Sequence, residues 1–334
     1  MSAFVKAIAF HLPENILNNE QLNAEFPEWS ADKISKKTGI YERKIAGVDE
    51  YSSDLGVKAA TKLLKENDID PKSIDFILFC TQSPDYFLPT TACILQNILG
   101  VPTSAGALDY NLGCSGYVYG LAIAKGLVTA GIAKRVLLIT AETYSKFINF
   151  RDKSNRTIFG DAASASLITA ERGGAEIGDF SLGTDGSGAE NLIVRNGGMR
   201  NRALKSEDII TEDGFIRNDN NLYMNGAEIF KFTSQAVPVL VNETLSKNNI
   251  GLDDIDLFVF HQANQYMLDY IRKKLNIPTD KFYIFLEKCG NTVSSTIPIA
   301  LYNAVEENEI KEGDTVLLAG FGVGYSWGGT ILKY

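Results

Sequence analysis

Residues 107–131 read ALDYNLGCSGYVYGLAIAKGLVTAG, which predicts a strand, a sharp turn and a helix in immediate succession. The strand covers 107–110, the turn covers 111–113, and Gly131 ends the helical pattern. Cys114 therefore stands at a helix N-terminus, where unpaired N–H groups and the helix dipole favour a thiolate, the nucleophilic form of cysteine. A small buried hydrophobic residue is the common alternative for a free cysteine, and this stretch alone does not separate the two.

The chain repeats itself at an interval of about 180 residues. DPKSIDFILFCTQS at 70–83 matches GLDDIDLFVFHQAN at 251–264, an offset of 181. RVLLIT at 135–140 matches TVLLAG at 315–320, an offset of 180. Two independent matches at nearly one offset predict two similar α/β halves of ordinary domain size.

The repeat predicts both the domain division and the position of the site. The N-terminal half covers 1–172 and carries Cys114, and the C-terminal half covers 173–334. Paired βα halves pack strands between helices and bind ligands at the carboxyl ends of strands. We therefore expect His261 and Asn291 of the second half to face Cys114 across an approximate twofold axis.

Composition narrows the class of protein. The 334 residues are 45% hydrophobic, and the net charge of −9 argues against a nucleic-acid binder, which needs a basic surface. No apolar run reaches the length of a membrane span, and the start MSAFVKAIAF lacks a signal-peptide core, so we expect a cytoplasmic protein. With two histidines and four cysteines in no CxxC pair, the sequence predicts neither a metal centre nor a disulfide framework.

Two polar residues of the second half could act together with Cys114. His261 ends a buried strand in VFHQAN, and Asn291 stands in CGNT. Taken alone, the first is a structural histidine and the second a turn residue. Together with Cys114, they supply two neutral hydrogen-bond donors that can converge on one oxygen.

Four ordered motifs carry a resemblance to a known family. GCSG at 113–116, HQAN at 261–264, GNTVSSTIP at 290–298 and FGVGYSWG at 321–328 closely resemble the ketoacyl-acyl carrier protein (ACP) synthase III family. The resemblance extends over essentially the whole chain. It implies the α/β thiolase-like fold, in which two pseudo-symmetric halves form a layered αβαβα arrangement.

The resemblance also implies a reaction. An acyl-CoA transfers its acyl group to Cys114, and backbone N–H groups of Cys114 and Val323 stabilise the tetrahedral oxyanion. Malonyl-ACP then loses CO₂, and neutral donors from His261 and Asn291 stabilise the thioester enolate. The carbanion attacks the acyl-cysteine and gives 3-oxoacyl-ACP, in fatty acid or specialised acyl-chain biosynthesis. No cofactor is expected beyond the CoA and ACP thioesters.

By the same resemblance, five residues are expected to bind CoA. Trp29 and Lys153 would hold the adenine, Lys37 would lie near the phosphates, and Gly226 and Asn264 would follow the pantetheine arm. Lysine lacks the planar guanidinium of the arginine usual at position 153.

Further positions concern partners. Lys231 and Lys273 would form a basic patch for the acidic carrier, and Leu88, where phenylalanine is usual, would close the acyl pocket of the second subunit of a homodimer. Tyr266 occupies a place where the fatty-acid-initiating enzymes have arginine, and Val323 one where they have glycine. These departures concern the acyl donor and the carrier more than the chemistry.

Three alternatives remain open at this stage. The first is an acyltransferase that moves an acyl group through Cys114 without condensation. The second is a thiolase or hydroxymethylglutaryl-CoA synthase-like enzyme, in which a second cysteine such as Cys289 acts as a base. The third is a catalytically silent subunit that only shapes an acyl chamber.

Overall fold

A computed structural model describes residues 2–202, 206–211 and 214–334 of the chain. The strands are β1 Phe4–His11, β2 Asn15–Asn18, β3 Glu42–Ile45, β4 Phe76–Cys80, β5 Gly106–Tyr110, β6 Arg135–Glu142, β7 Ala162–Thr169, β8 Ala175–Ile177, β9 Ser181–Thr184, β10 Leu192–Ile193, β11 Ile209–Ile210, β12 Ile216–Arg217, β13 Tyr223–Met224, β14 Leu257–Phe260, β15 Phe282–Tyr283, β16 Thr315–Gly322 and β17 Ser326–Lys333. The α-helices are α1 Asn19–Glu25, α2 Ala31–Thr38, α3 Ser52–Glu66, α4 Thr91–Leu99, α5 Gly116–Thr129, α6 Gly226–Lys247, α7 Gln265–Lys274 and α8 Thr296–Glu306.

One mixed sheet of eleven strands organises the chain. Its order is β15-β14-β16-β17-β8-β1-β7-β6-β4-β5, and β9 pairs with β17 beside β8. The run β7-β6-β4-β5 repeats as β17-β16-β14-β15 with the same pattern of parallel and antiparallel pairs. The internal repeat read from the sequence therefore reappears as two equivalent sets of strands, joined through β8 and β1.

The helices form layers around these strands, as the thiolase-like arrangement requires. The central core cluster joins buried residues of α5 and α8 with strand residues of both halves. A second cluster packs α3 and α4 against the first set of strands, and a third packs α6 and α7 against the second set. Helices α5 and α8 thus lie between the two equivalent sets of strands, which brings their N-termini and the flanking strand ends together.

Most predicted elements are present, with two corrections. The strand, turn and helix predicted at 107–131 are confirmed as β5, a turn and α5. The apolar run FYIFL at 282–286 predicts a strand of five residues, and this prediction is wrong beyond Tyr283, since only two residues pair with β14.

Pro238 predicts an interruption of the helical pattern that begins at Asn225 and ends at Lys247, and this prediction is also wrong, because α6 continues through the proline. Proline has no N–H for the carbonyl four residues earlier, which is that of Ser234. Lys274 of α7 donates to this carbonyl oxygen from its Nζ at 2.8 Å. The neighbouring helix therefore supplies the hydrogen bond that the proline removes.

Within the described ranges, the helices include none that is both long and apolar enough to cross a bilayer. The same residues contain no cluster of three histidine, cysteine or acidic side chains that could hold a metal ion.

Candidate active site

A cavity of about 420 Å³ brings together the three residues predicted to carry the chemistry. Cys114 lies just before α5, His261 directly after β14, and Asn291 shortly before α8. All three are buried and line the same cavity. In the sequence, 147 positions separate Cys114 from His261, and 30 separate His261 from Asn291. The three residues meet because both halves present strand and helix ends at one place.

Close backbone approach surrounds the cysteine. A Cβ added to Gly322 would lie 2.7 Å from both Cβ and Sγ of Cys114, so only glycine fits there. Backbone groups of Val323 and of Cys114 itself lie close enough to the sulfur to lower its pKa. Their use as an oxyanion hole stays a prediction. The φ angle of Val323 is not positive, so the valine is not forced into the left-handed conformation that favours glycine.

Burial nevertheless has the larger effect on the protonation of Cys114. It raises the pKa of Cys114 to about 12, against the hydrogen bonds that lower it. The expectation of a stabilised thiolate at the helix N-terminus is therefore corrected: the thiol is the resting form. Desolvation of the charged sulfur outweighs the partial charge of a helix terminus.

His261 and Asn291 adjoin each other in the lining of this cavity. Asn291 Nδ2 lies 3.5 Å from His261 Nε2, and Asn291 Oδ1 accepts a 2.9 Å hydrogen bond from the Val293 N–H. That bond directs the amide NH₂ group toward the imidazole. Burial lowers the pKa of His261 to about 3, so the ring is neutral at physiological pH. Two uncharged side chains thus face the cavity beside the sulfur.

The predicted CoA residues divide into two groups. Lys37, Gly226 and Asn264 line the same cavity as Cys114. Trp29 lies farther out, with the Lys37 Nζ 5.3 Å from its ring centroid. Lys153 forms a 3.0 Å ion pair with Glu28, the residue before Trp29. The first group lines the cavity itself, and Trp29 adjoins that group through Lys37.

The residues predicted for partners lie on the surface. Lys231 is exposed and is 3.7 Å from Glu228, and Lys273 is exposed near the end of α7. Leu88 is 80% exposed and does not line the cavity with Cys114. Within one chain, these residues have no contact with the reacting groups.

The sequence analysis missed a buried acid under the nucleophile. Glu142, the last residue of β6, is fully buried, and burial raises its pKa to about 8. Its carboxyl group accepts from the Gln82 N–H and the Ser83 hydroxyl of one half. It also accepts a 2.9 Å hydrogen bond from Ser294 of the other half. The sequence offered one signal for this buried acid, which is the glutamate at the end of the otherwise apolar run RVLLITAE.

An aromatic cluster at the cavity wall was also missed. Phe230 of α6 and Tyr266 of α7 both line the cavity, with ring centroids 5.6 Å apart. Tyr270 adds a third ring 4.9 Å from Phe230. Tyr266 is 63% exposed, which places this apolar surface at the entrance.

A smaller cavity of about 200 Å³ adjoins the site. Leu192 borders both cavities, and Val323 joins the smaller one to the oxyanion-hole loop. The other residues that line the smaller cavity are mainly aromatic and aliphatic. They are Gln82, Asn111, Tyr144, Phe147, Ile193, Val194 and Leu222.

Cys289 does not share the cavity. Its sulfur is buried and lies 3.9 Å from the Phe285 carbonyl and 3.6 Å from that of Gly290. The position argues against the second-cysteine base that the sequence left open.

Comparison with known proteins agrees with this geometry. Family models described as 3-oxoacyl-[acyl-carrier-protein] synthase III and as its C-terminal part match residues 108–186 and 245–334. The chain is 39% identical over 330 residues to the beta-ketoacyl-[acyl-carrier-protein] synthase III of Clostridium perfringens, covering 98% of each sequence.

Solved structures show the same likeness. A crystal structure described as 3-oxoacyl-(acyl-carrier-protein) synthase III superimposes with a TM-score of 0.97, at 50% identity and full coverage of both chains. That of the Thermus thermophilus beta-ketoacyl synthase III superimposes with a TM-score of 0.88, at 35% identity and 99% coverage of each chain.

Fold and site together define a thiolase-fold condensing enzyme, of the acyltransferase class. Within that class, the chain belongs to the 3-oxoacyl-[acyl-carrier-protein] synthase III family, whose members are condensing enzymes of fatty acid biosynthesis.

Proposed function

We propose that this enzyme joins an acyl group from an acyl-CoA to malonyl-ACP with loss of CO₂, giving 3-oxoacyl-ACP. The observation that carries the proposal is the single cavity lined by a cysteine and two neutral hydrogen-bond donors, Cys114, His261 and Asn291. A condensation that starts by decarboxylation needs no strong base, and the cavity presents none: the Cys289 thiol is elsewhere and His261 has a strongly lowered pKa.

In the first step, the Cys114 sulfur attacks the thioester carbonyl as its proton passes to the departing CoA thiolate. The Cys114 and Val323 N–H groups stabilise the oxyanion until the C–S bond to CoA breaks. The acyl chain then enters the smaller cavity, which Leu192 and Val323 border beside the reacting groups.

In the second step, the C–C bond to the malonyl carboxylate breaks and CO₂ leaves. The electron pair forms an enolate whose oxygen accepts hydrogen bonds from His261 and Asn291. The enolate carbon attacks the acyl thioester, and the released Cys114 sulfur takes up one proton from solvent. The donors act in the transition state because the negative charge develops there.

Intact-protein mass spectrometry tests the proposal. Wild type and Cys114→Ala are incubated with a series of acyl-CoAs, and malonyl-ACP is then added. The proposal expects an acyl adduct on wild type alone, lost on addition of malonyl-ACP together with CO₂ release. An adduct that passes to an amine or a hydroxyl without CO₂ would establish the acyltransferase alternative instead. No adduct with any donor would overturn the proposal.

The same proposal includes a homodimer. Strand β5 is an unpaired edge of the sheet, and its Leu108 is partly exposed. Tyr86, Phe87 and Leu88 form an exposed apolar segment nearby in sequence. Sheet edges and exposed apolar segments of this kind are typical contact surfaces.

In a dimer, Leu88 would reach the acyl pocket of the second subunit. Light scattering should give twice the chain mass for wild type and a monomer for Leu88→Asp. A monomeric wild type would refute this part. The proposal also includes the binding of CoA by Trp29, Lys37, Lys153, Gly226 and Asn264, and a patch for the carrier protein at Lys231 and Lys273. It places the enzyme in the cytoplasm and assigns it neither a metal nor a cofactor.

A further inference from the structure

The imidazole of His261 has a hydroxyl partner on its far side. His261 Nδ1 lies 2.8 Å from Oγ1 of Thr296, the first residue of α8, and both residues are buried. The hydroxyl oxygen is also 3.0 Å from the Val293 carbonyl oxygen. Thr296 has one proton, so it can donate to only one of these two acceptors.

The neutral ring has one N–H, and its position depends on what faces Nδ1. The Val293 carbonyl also lies close enough to the ring to raise the pKa of His261. A carbonyl only accepts, so it favours the proton on Nδ1 and leaves Nε2 bare toward the cavity. A hydroxyl that donates to Nδ1 has the opposite effect and places the proton on Nε2.

The reaction requires the second arrangement. Asn291 Nδ2 and His261 Nε2 are 3.5 Å apart and both face the cavity. When Nε2 has no proton, it accepts one N–H of Asn291, the Ala263 carbonyl oxygen lies 3.4 Å from the same nitrogen to accept the other, and the ring has no proton to donate to the substrate oxygen. When Nε2 has the proton, both side chains can donate to one oxygen.

The backbone of Val293, which lies between Asn291 and Thr296 in the sequence, is strained, and its conformation places hydrogen-bonding groups beside both residues. Val293 is a β-branched residue with φ of 55°, a conformation that such residues rarely adopt. In this conformation its N–H holds the Asn291 Oδ1 at 2.9 Å, and its carbonyl lies beside Thr296. One strained residue therefore orients both donors, and strain of this kind concentrates at functional sites.

We propose that Thr296 is a positioning residue that donates its hydroxyl hydrogen to His261 Nδ1 and so keeps the imidazole proton on Nε2 for the enolate oxygen. The kinetic consequence rests on the proposed function, whereas the tautomer is a property of the protein itself.

The chain is well suited to a direct measurement, because it contains two histidines, His11 and His261. Nitrogen-15 NMR of histidine-labelled protein distinguishes a protonated from a bare ring nitrogen, and His11→Gln assigns the His261 signals. Wild type should carry the proton on Nε2. Thr296→Val, which retains the shape but leaves a carbonyl as the polar group at Nδ1, should move it to Nδ1. Thr296→Ser retains the hydroxyl and should restore the wild-type pattern.

Kinetics supply the second readout. Thr296→Val should leave the acylation of Cys114 by acyl-CoA within about twofold of wild type, because backbone groups serve that step. Release of CO₂ from malonyl-ACP should fall about 100-fold, as when one oxyanion donor is lost. Thr296→Ser should recover most of the rate. Retained acylation also shows that the variant is folded, and Thr296→Ala replaces it if it is not.

Each outcome decides the proposal. A wild-type ring protonated on Nδ1, or a Thr296→Val enzyme that still releases CO₂ at the normal rate, would overturn it. A wild type that never releases CO₂ would refute the proposed function instead, and the NMR pattern would still decide the role of Thr296.

Discussion

Gly322 approaches Cys114 so closely that a Cβ built on the glycine would lie 2.7 Å from the cysteine sulfur. The glycine belongs to β16 and the cysteine to the turn before α5, so the contact joins the two halves of the chain. The acylation step should therefore be sensitive to one methyl group.

Gly322→Ala should slow the acylation of Cys114 about tenfold or more, because overpacking by one carbon typically costs about 1–3 kcal/mol. The measurement is the rate of adduct formation by mass spectrometry. Gly126→Ala in α5 is the matched control, since a Cβ there meets nothing within 4 Å. That change should stabilise the protein by about 0.5–1 kcal/mol and leave the rate unchanged. Equal rates for Gly322→Ala and wild type would contradict the close contact.

Glu142 should impose a pH dependence on stability. Burial raises its pKa in the folded protein to about 8, so the folded state retains this proton after the unfolded chain has lost it. The free energy of unfolding should therefore fall as pH rises from the ordinary glutamate range to about 8, and then level off. Asp161, whose pKa burial raises to about 6, contributes only to the lower part of this window.

Glu142→Gln should flatten the decline between pH 6 and pH 8, whatever its effect on absolute stability. Urea unfolding at a series of pH values measures the slope. The exposed Glu312→Gln is the control and should leave the slope as in wild type. A variant with the wild-type slope would show that Glu142 ionises normally.

Tyr266 should contribute to substrate entry through its ring. The side chain is exposed and packs on Phe230 at the entrance, so its removal should not alter the unfolding temperature. Tyr266→Ala should lower kcat/KM for the thioester substrates about fivefold to tenfold, the usual cost of an aromatic contact residue. Tyr266→Phe retains the ring and should behave as wild type. If both variants lose activity equally, the hydroxyl is responsible and not the stacking surface.

The pair Lys274 and Pro238 should be energetically coupled. Lys274→Met removes the hydrogen bond to the Ser234 carbonyl and should lower the free energy of unfolding by about 1 kcal/mol. In a Pro238→Ala background, the restored N–H can serve that carbonyl, so the same change should cost less. Urea denaturation of the four proteins forms a double-mutant cycle. A cycle with no coupling would show that the lysine does not compensate for the proline.

Much of the site was accessible from local pattern. The strand, turn and helix around Cys114 follow from residues adjacent in sequence, and the repeat at about 180 positions predicted that His261 and Asn291 would meet the cysteine. The sequence did not predict that strand pairing ends after Tyr283, or that α6 continues through Pro238. Both depend on a neighbour from elsewhere in the chain: strand pairing with β14 in the first case and Lys274 in the second.

The sequence by itself determined the repeated strands, the strand, turn and helix around Cys114, and the choice of three candidate site residues, because periodicity, turn chemistry and residue type act over short distances. Only the tertiary structure decided the protonation states and the orientation of the donors. The pKa of Cys114 depends on desolvation, the carboxyl of Glu142 on a serine 152 positions away, and the ring of His261 on a hydroxyl 35 positions away. Such effects arise when packing removes water from polar groups and leaves each one to the partners that the fold brings to it.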